Sequence, residues 1–326
     1  MRILKWFWSK RRESNPPSKL GNNLSIMNDY KLDTLYNFYI NIYRPDRSEP
    51  ARENYRYGFR KHMSRIIDRD IREIMPSEIQ MVLNDMKGMS QTVIGSVYND
   101  LILIIRHAYL DGIISKDYTG ALIRPKAKKD KPRRALTPDE RRAVIAVAQT
   151  RRKFYAYLFM ILCGCRPSEA FRIQKEDLDY EKKTVHIRGT KTAQSDRVVP
   201  CPDIILDLCK YILTGPITVS ATGMEITKEM QVRIWHSFYA FCHHYLGGKI
   251  YRNAPKAPYP FGQDLTAYNL RHEYCTELAR RGIDVRITQK LMGHASPEMT
   301  LRVYTNLSDE DLNTEEIRKV INGSYK

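Results

Sequence analysis

DLTAYNLRHEYCTELARRGIDVRITQKLMGHASPEMTLRVYTNL, residues 264–307, is the stretch on which the reading of this chain turns. It opens with Arg271 and His272 in an apolar frame, passes a glycine–histidine corner at Gly293-His294, and ends on Tyr304, ten residues after the histidine. Thr266 stands where a helix is capped, with Tyr268 and Arg271 three apart and hence on one face. Gly282 closes that helix, Asp284 caps the next, and Ser296-Pro297 begins a last short one that carries Tyr304. His272 points about 100° away from Arg271 and reads as structural. An arginine and a histidine that hold a phosphate, and a tyrosine that attacks it, make chemical sense of this order.

Upstream lies a matching arginine. An apolar helix from about Lys153 to Cys163 runs into Gly164-Cys165-Arg166-Pro167-Ser168-Glu169. Pro167 fits the first turn of a new helix, which puts Arg166 at its N-terminus, where unpaired N–H groups and a guanidinium fork both favour an anion. Glu169, one turn on, is either an orienting carboxylate or an ordinary first-turn glutamate. Before this, Thr137-Pro138-Asp139-Glu140 has the form of a capping box. After it, Thr184–Arg188 and Asp196–Pro200 alternate as strands around the loop 189–195, a β-hairpin with Lys191 at its tip. Alone, such a lysine is usually a solvated charge. Residues 202–262 add two helices and a basic, proline-bearing loop that faces DNA or solvent.

The N-terminal part is helical. Leu32, Leu35, Tyr39 and Ile42 share one helix face, and Tyr55, Phe59, Met63 and Ile66 a second. Pro76 opens a third helix, and the fourth runs from Ser90 to Asp111, with Gly112 as its stop. Lys61, Arg65, Arg69 and Arg72 are phosphate contacts or a solvated face. Arg124–Arg134, RPKAKKDKPRR, has seven basic residues in eleven and two prolines, the composition of an extended linker. Its cations Lys126, Lys128, Lys129, Lys131, Arg133 and Arg134 are suited to meet a polyanion. These boundaries give a basic tail over 1–28, a helical domain over 29–123, a linker over 124–135 and a second domain over 136–326, with a tail from 305. A tail of about 27 residues is too short for a further domain.

Composition agrees. The formal charge of +17 favours a polyanionic partner, and 42% hydrophobic residues suit a globular chain. The six cysteines form no CxxC pair or zinc-ligand spacing, so no metal site is expected, and reduced thiols in a cytoplasmic protein are the simplest account. No apolar run reaches membrane-spanning length.

Taken together, the motifs closely resemble those of tyrosine recombinases, the phage-integrase family. G-C-R-P-S-E resembles the family's first-arginine motif, G-T-K-T…R-V-V-P its lysine hairpin, and Leu291-Met292-Gly293-His294 with Tyr304 its C-terminal segment. One position departs: Tyr268 stands where the family's HxxR has histidine. The resemblance covers about residues 29–310 and is closest in kind to integrases of conjugative transposons and Gram-positive phages. It implies a mainly α fold with a small β-sheet (α+β), built as a C-shaped clamp of a core-binding helical bundle and a catalytic domain. It implies site-specific DNA cutting and rejoining through a 3′-phosphotyrosyl bond, in integration or excision of a mobile element, with no cofactor. Arg166 and Arg271 would neutralise the phosphate, Lys191 would protonate the leaving 5′-oxygen, His294 would donate a hydrogen bond, and Tyr304 would attack. Tyr268 would hydrogen-bond the phosphate. Implied partners are double-stranded DNA attachment or core sites, three further copies of the chain in a tetramer, and a directionality factor, in the bacterial cytoplasm or nucleoid. The alternatives are a type IB topoisomerase, which shares the constellation, and a non-catalytic DNA-binding protein.

Overall fold

A computed structural model of the chain describes residues 29–128, 133–189, 193–220, 222–252 and 254–305. The expected N-terminal tail, Lys129, Lys131, Lys191 and the segment after Thr305 lie outside the described residues. The chain divides into two compact units, Met1–Lys131 and Pro132–Lys326.

Among its described residues the first unit is mainly helical. It comprises α1 (Leu32–Tyr43), α2 (Glu49–His62), α3 (Pro76–Asn84) and α4 (Gln91–Leu110). The periodic apolar residues close its core: Leu35, Tyr39, Phe59, Met63, Ile94, Leu101, Ile104 and Ile105 are buried. Tyr36 stacks on Phe59 within that core, with ring centroids 4.4 Å apart. Pro76 occupies the first turn of α3, and the Ser90 hydroxyl caps α4 by accepting from Val93 N at 3.3 Å. A buried carboxylate ties α4 to the α1–α2 turn, because Arg47 donates to both oxygens of Asp100 at 2.8 and 2.9 Å. The start of the expected linker is fixed to this unit, since Gly88 N donates to Lys126 O and Lys128 N donates to Met89 O.

The second unit begins with the expected capping box. Thr137 Oγ1 accepts from Glu140 N at 3.2 Å, and Glu140 Oε2 accepts from Thr137 N at 2.9 Å. Helix α5 (Pro138–Ala148) follows, then α6 (Tyr155–Cys163), which is buried along nearly its whole length, and a single turn, α7 (Pro167–Ala170). Strands β1 (Leu178–Asp179), β2 (Thr184–Ile187) and β3 (Arg197–Pro200) form an antiparallel sheet in that order, with Ile187 opposite Arg197 and Thr184 opposite Pro200. Then come α8 (Asp203–Cys209), α9 (Lys228–Tyr245), and a small hairpin, β4 (Ile250–Tyr251) with β5 (Ala254–Pro255). The decisive stretch forms α10 (Ala267–Arg280), α11 (Val285–Met292) and α12 (Pro297–Tyr304).

The core of the second unit forms where α10 packs on α6 and an aromatic group closes the other side. Phe154, Tyr157, Trp235 and Phe238 meet there at centroid distances of 4.1 to 6.3 Å. All six cysteines are free and buried, as small apolar fillers. Among the described residues no helix is long and apolar enough to cross a membrane.

Candidate active site

The site is assembled at the C-terminus of α11. A helix leaves its last carbonyls without partners inside the helix, and here three arginines from three elements take them. Arg197 on β3 donates to Leu291 O at 2.7 Å, Arg271 on α10 to Met292 O at 2.5 Å, and Arg166 before α7 to Gly293 O at 2.8 Å. Cations are favoured at this end of a helix. Gly293 makes the turn, with φ +61 and no room for a side chain: a Cβ there would stand 2.8 Å from Gln194 O and 2.9 Å from Arg197 Nη1. The chain coming out of the Lys191 loop therefore abuts the Gly293-His294 corner. Gly164, with φ +67, offers its carbonyl to Arg271 and, at 3.3 Å, to Arg197.

One carboxylate holds the arginines together. Glu169 accepts from Arg166 Nη1 at 2.6 Å, from Arg166 N at 2.8 Å and from Arg197 Nη2 at 3.1 Å, and lies 3.7 Å from Arg271 Nη1. Glu169, Arg197 and Arg271 are all buried, whereas the Arg166 side chain is 30% exposed. Burial works against the Glu169 charge, but Arg197 and Arg166 outweigh it and hold the carboxyl below its usual range. Three guanidiniums against one carboxylate leave a surplus of two positive charges. Arg271 registers that surplus: burial, Arg166 and Arg197 lower its pKa to about 10, still fully protonated at neutral pH.

This geometry changes the expected role of the α7 N-terminus. The helix is only four residues long, and the N–H of Arg166, the residue before it, is taken by the Glu169 side chain. The pull on an anion comes from the guanidiniums rather than from a helix dipole. Glu169, whose sequence position allowed either an orienting carboxylate or an ordinary first-turn glutamate, bonds both the backbone and the fork of Arg166.

His294 completes the corner. It is buried, and its Nδ1 lies 2.8 Å from Thr300 Oγ1 on α12. Burial, with Arg271, Arg166 and Arg197 nearby, pushes its pKa down to about 4. The imidazole is therefore neutral at pH 7, and in the tautomer whose Nδ1 accepts from Thr300, Nε2 is the N–H donor.

Two residues of the expected set are not in this cluster. The Tyr304 hydroxyl lies 2.6 Å from Thr288 Oγ1 and donates to Ile283 O at 2.5 Å. Tyr268 is 48% exposed, with the Arg133 guanidinium 5.4 Å from its ring centroid. Lys191 lies outside the described residues. Among the described residues, no group of three or more His, Cys, Asp or Glu side chains comes together to hold a metal ion.

The family profile described as the phage integrase family matches residues 134–311, more than half of the chain. The chain belongs to that family. Among curated relatives, this integrase-family chain is 29% identical over 195 residues to tyrosine recombinase XerA of Pyrococcus horikoshii, covering 58% of this chain and 61% of that protein. It is 30% identical over 208 residues to tyrosine recombinase XerA of Thermococcus onnurineus, covering 61% and 67%. The matches thus span about three fifths to two thirds of these relatives' length. Among solved structures, the Tn1549 transposon integrase in complex with a circular intermediate DNA shares the fold, with TM-score 0.63 and 18% identity over 89% of this chain and 99% of that one.

Three residues of this integrase-family site are given no role by the motifs. Arg197 is one, although strand alternation with the buried Val199 places it inward. Thr300 and Thr288 are the others, both fully buried and each bonded to a residue of the expected set. Several basic residues offered as DNA contacts are bound within the protein. Arg134 donates to Glu140 and to Asp264, Arg69 pairs with Glu78 at 2.6 Å, and Arg65 with Asp85 at 2.8 Å. Lys61 is exposed.

Proposed function

We propose that this chain is a site-specific DNA recombinase that cuts and rejoins duplex DNA through a 3′-phosphotyrosyl bond at Tyr304, in integration or excision of a mobile element. The observation that carries the reading is the cluster of Arg166, Arg197 and Arg271 around the buried Glu169, with His294 on the same corner. Its surplus charge suits the extra negative charge of a pentavalent phosphate, and preorganised donors in a dry site stabilise such a state strongly. Arg166 and Arg271 hold the non-bridging oxygens, and the neutral His294 donates to one of them from Nε2. The Tyr304 oxygen bonds to phosphorus as the bond to the 5′-oxygen breaks. The phenol passes its proton to water or to the phosphate itself, and the departing oxygen gains one from Lys191. The number of phosphoester bonds is conserved, so the 5′-hydroxyl of a partner strand reverses the step and exchanges strands.

Tyr268 takes part as a hydrogen-bond donor to the phosphate, carried beneath Arg133. Lys61, Lys126, Lys128 and Arg133 contact the DNA backbone, with Lys129 and Lys131 between them in sequence. Assembly is a tetramer on two DNA sites, directed by a separate factor, in the cytoplasm. The test is recombination between duplexes tiled from the DNA flanking the gene. Strand exchange confined to pairs of one such sequence supports the reading. Relaxation of any supercoiled plasmid without exchange makes the chain a topoisomerase, and binding with neither makes it an architectural protein.

A further inference from the structure

The hydroxyl of the candidate nucleophile is engaged in two hydrogen bonds. A phenol has one proton, and that of Tyr304 goes to Ile283 O, at 2.5 Å. The Thr288 hydroxyl, 2.6 Å away, must then be the donor in the second bond and take a lone pair of the phenol oxygen. A nucleophile needs the reverse: a lone pair free to meet phosphorus and an acceptor that can keep its proton. A backbone carbonyl is no base, and its partial negative charge opposes a phenolate. Thr288 is wholly buried in α11, and Ile283 lies in the turn before that helix. Burial is the largest influence on the phenol and raises its pKa, Cys275 and Asp284 add to that rise, and the Thr288 bond opposes it without cancelling it. The arginine cluster, by contrast, is centred on the opposite, C-terminal end of α11.

We propose that Thr288 and the Ile283 carbonyl form a latch that keeps the Tyr304 hydroxyl out of the reaction, and that Thr288 is a positioning residue which restrains cleavage. The inference rests on the reading of Tyr304 as the nucleophile. The latch opens without leaving a buried orphan on α11, because a helical threonine can turn its hydroxyl to the carbonyl four residues back. That carbonyl is Asp284 O, which already accepts from Thr288 N at 2.9 Å. His294, bonded through Thr300 to the same short helix α12, keeps its place in the cluster while Tyr304 is latched.

The test is the single-turnover rate of covalent complex formation by the full chain on a nicked duplex of a proven site. Thr288→Val keeps the shape and removes the hydroxyl. Loss of one hydrogen bond's net contribution predicts covalent complex about 2- to 10-fold faster, with DNA affinity unchanged. Thr288→Ser restores the donor and should return the rate to that of the parent. A second readout needs neither DNA nor activity: nitration of Tyr304 by tetranitromethane, mapped by mass spectrometry, should speed up in Thr288→Val and not in Thr288→Ser. Should the valine variant fail to fold, Thr288→Ala is judged by the same two measurements. A rate equal to or below that of the parent, with Tyr304 nitration unchanged, overturns the latch. Tyr304→Phe separates the two claims: covalent complex formed by that variant overturns the nucleophile itself.

Discussion

Glu169→Gln removes the single negative charge from a site that holds three guanidiniums. The carboxylate lies 2.6 Å from Arg166 Nη1, 3.1 Å from Arg197 Nη2 and 3.7 Å from Arg271 Nη1. At an effective dielectric of about 20, each such pair is worth roughly 5 kcal/mol before desolvation is counted. Deleting one partner of a buried ion pair costs about 3–5 kcal/mol, because the other charge stays behind. Here three charges stay behind, so the upper part of that range, about 4–5 kcal/mol, is expected for the second unit. With a urea slope of about 2 kcal/mol per molar, its unfolding midpoint falls by about 2 M. Trp235, packed against Tyr157 and Phe238, reports that unfolding by fluorescence once Trp6 and Trp8 are changed to phenylalanine. The origin of the loss has its own signature. Sulfate, compared with chloride at equal ionic strength, should restore more stability to Glu169→Gln than to the parent, since a bound anion replaces the missing charge. A midpoint shift below about 0.5 M in urea, or an equal response of both proteins to sulfate, would refute the charge account.

Three further outcomes follow from the same geometry. His294 has a pKa pushed down from 6.5 to about 4, so the unfolded chain binds the extra proton first. Stability is full above pH 6.5 and is lost as pH falls towards 4, by up to about 3 kcal/mol for this group; urea midpoints across that range should show this slope reduced in His294→Gln. Gly293→Ala should cost at least about 1–3 kcal/mol, because it combines a left-handed backbone with a Cβ pressed on Arg197 and Gln194. Its cleavage rate should fall as well, whereas a change at a turn outside the site would alter stability alone. Lys191→Ala should slow cleavage of ordinary DNA by about 10²–10⁴-fold. It should leave a substrate with sulfur at the bridging 5′ position nearly unaffected, since that leaving group needs no proton; equal defects on both would make Lys191 a positioning group.

Much of this architecture is legible in the sequence because local signals and burial agree. The Thr137 cap, Pro76, and the apolar periodicity of α1 and α4 each state one local choice, and the core agrees with it. Arg166, Arg271 and His294 are legible as motifs, and the fold brings them to one corner. What the sequence hides is how they are held. Nothing in a linear pattern says that three arginines will share the carbonyls of one helix end, because that depends on α6, α10, α11 and β3 converging. Arg197 illustrates this. A charged residue at a strand position usually reads as solvent-facing, yet its alternation partner Val199 is buried and so is Arg197. Thr288 is hidden for a similar reason: a threonine inside an amphipathic helix shows no partner until Tyr304 is seen to return over it. The one-turn length of α7 was equally unreadable, since Pro167 marks where a helix starts and not where it stops.

The most direct measurement is the position and polarity of the covalent link. Full-length protein is incubated with a nicked duplex of its own site, the complex is digested with protease and nuclease, and the modified peptide is sequenced by mass spectrometry. The account predicts one adduct, a nucleotide 3′-phosphate on Tyr304, with a free 5′-hydroxyl on the released strand and no adduct in Tyr304→Phe. An adduct on any of the other twenty tyrosines, a 5′-phosphate linkage, or cleavage that survives Tyr304→Phe would contradict it.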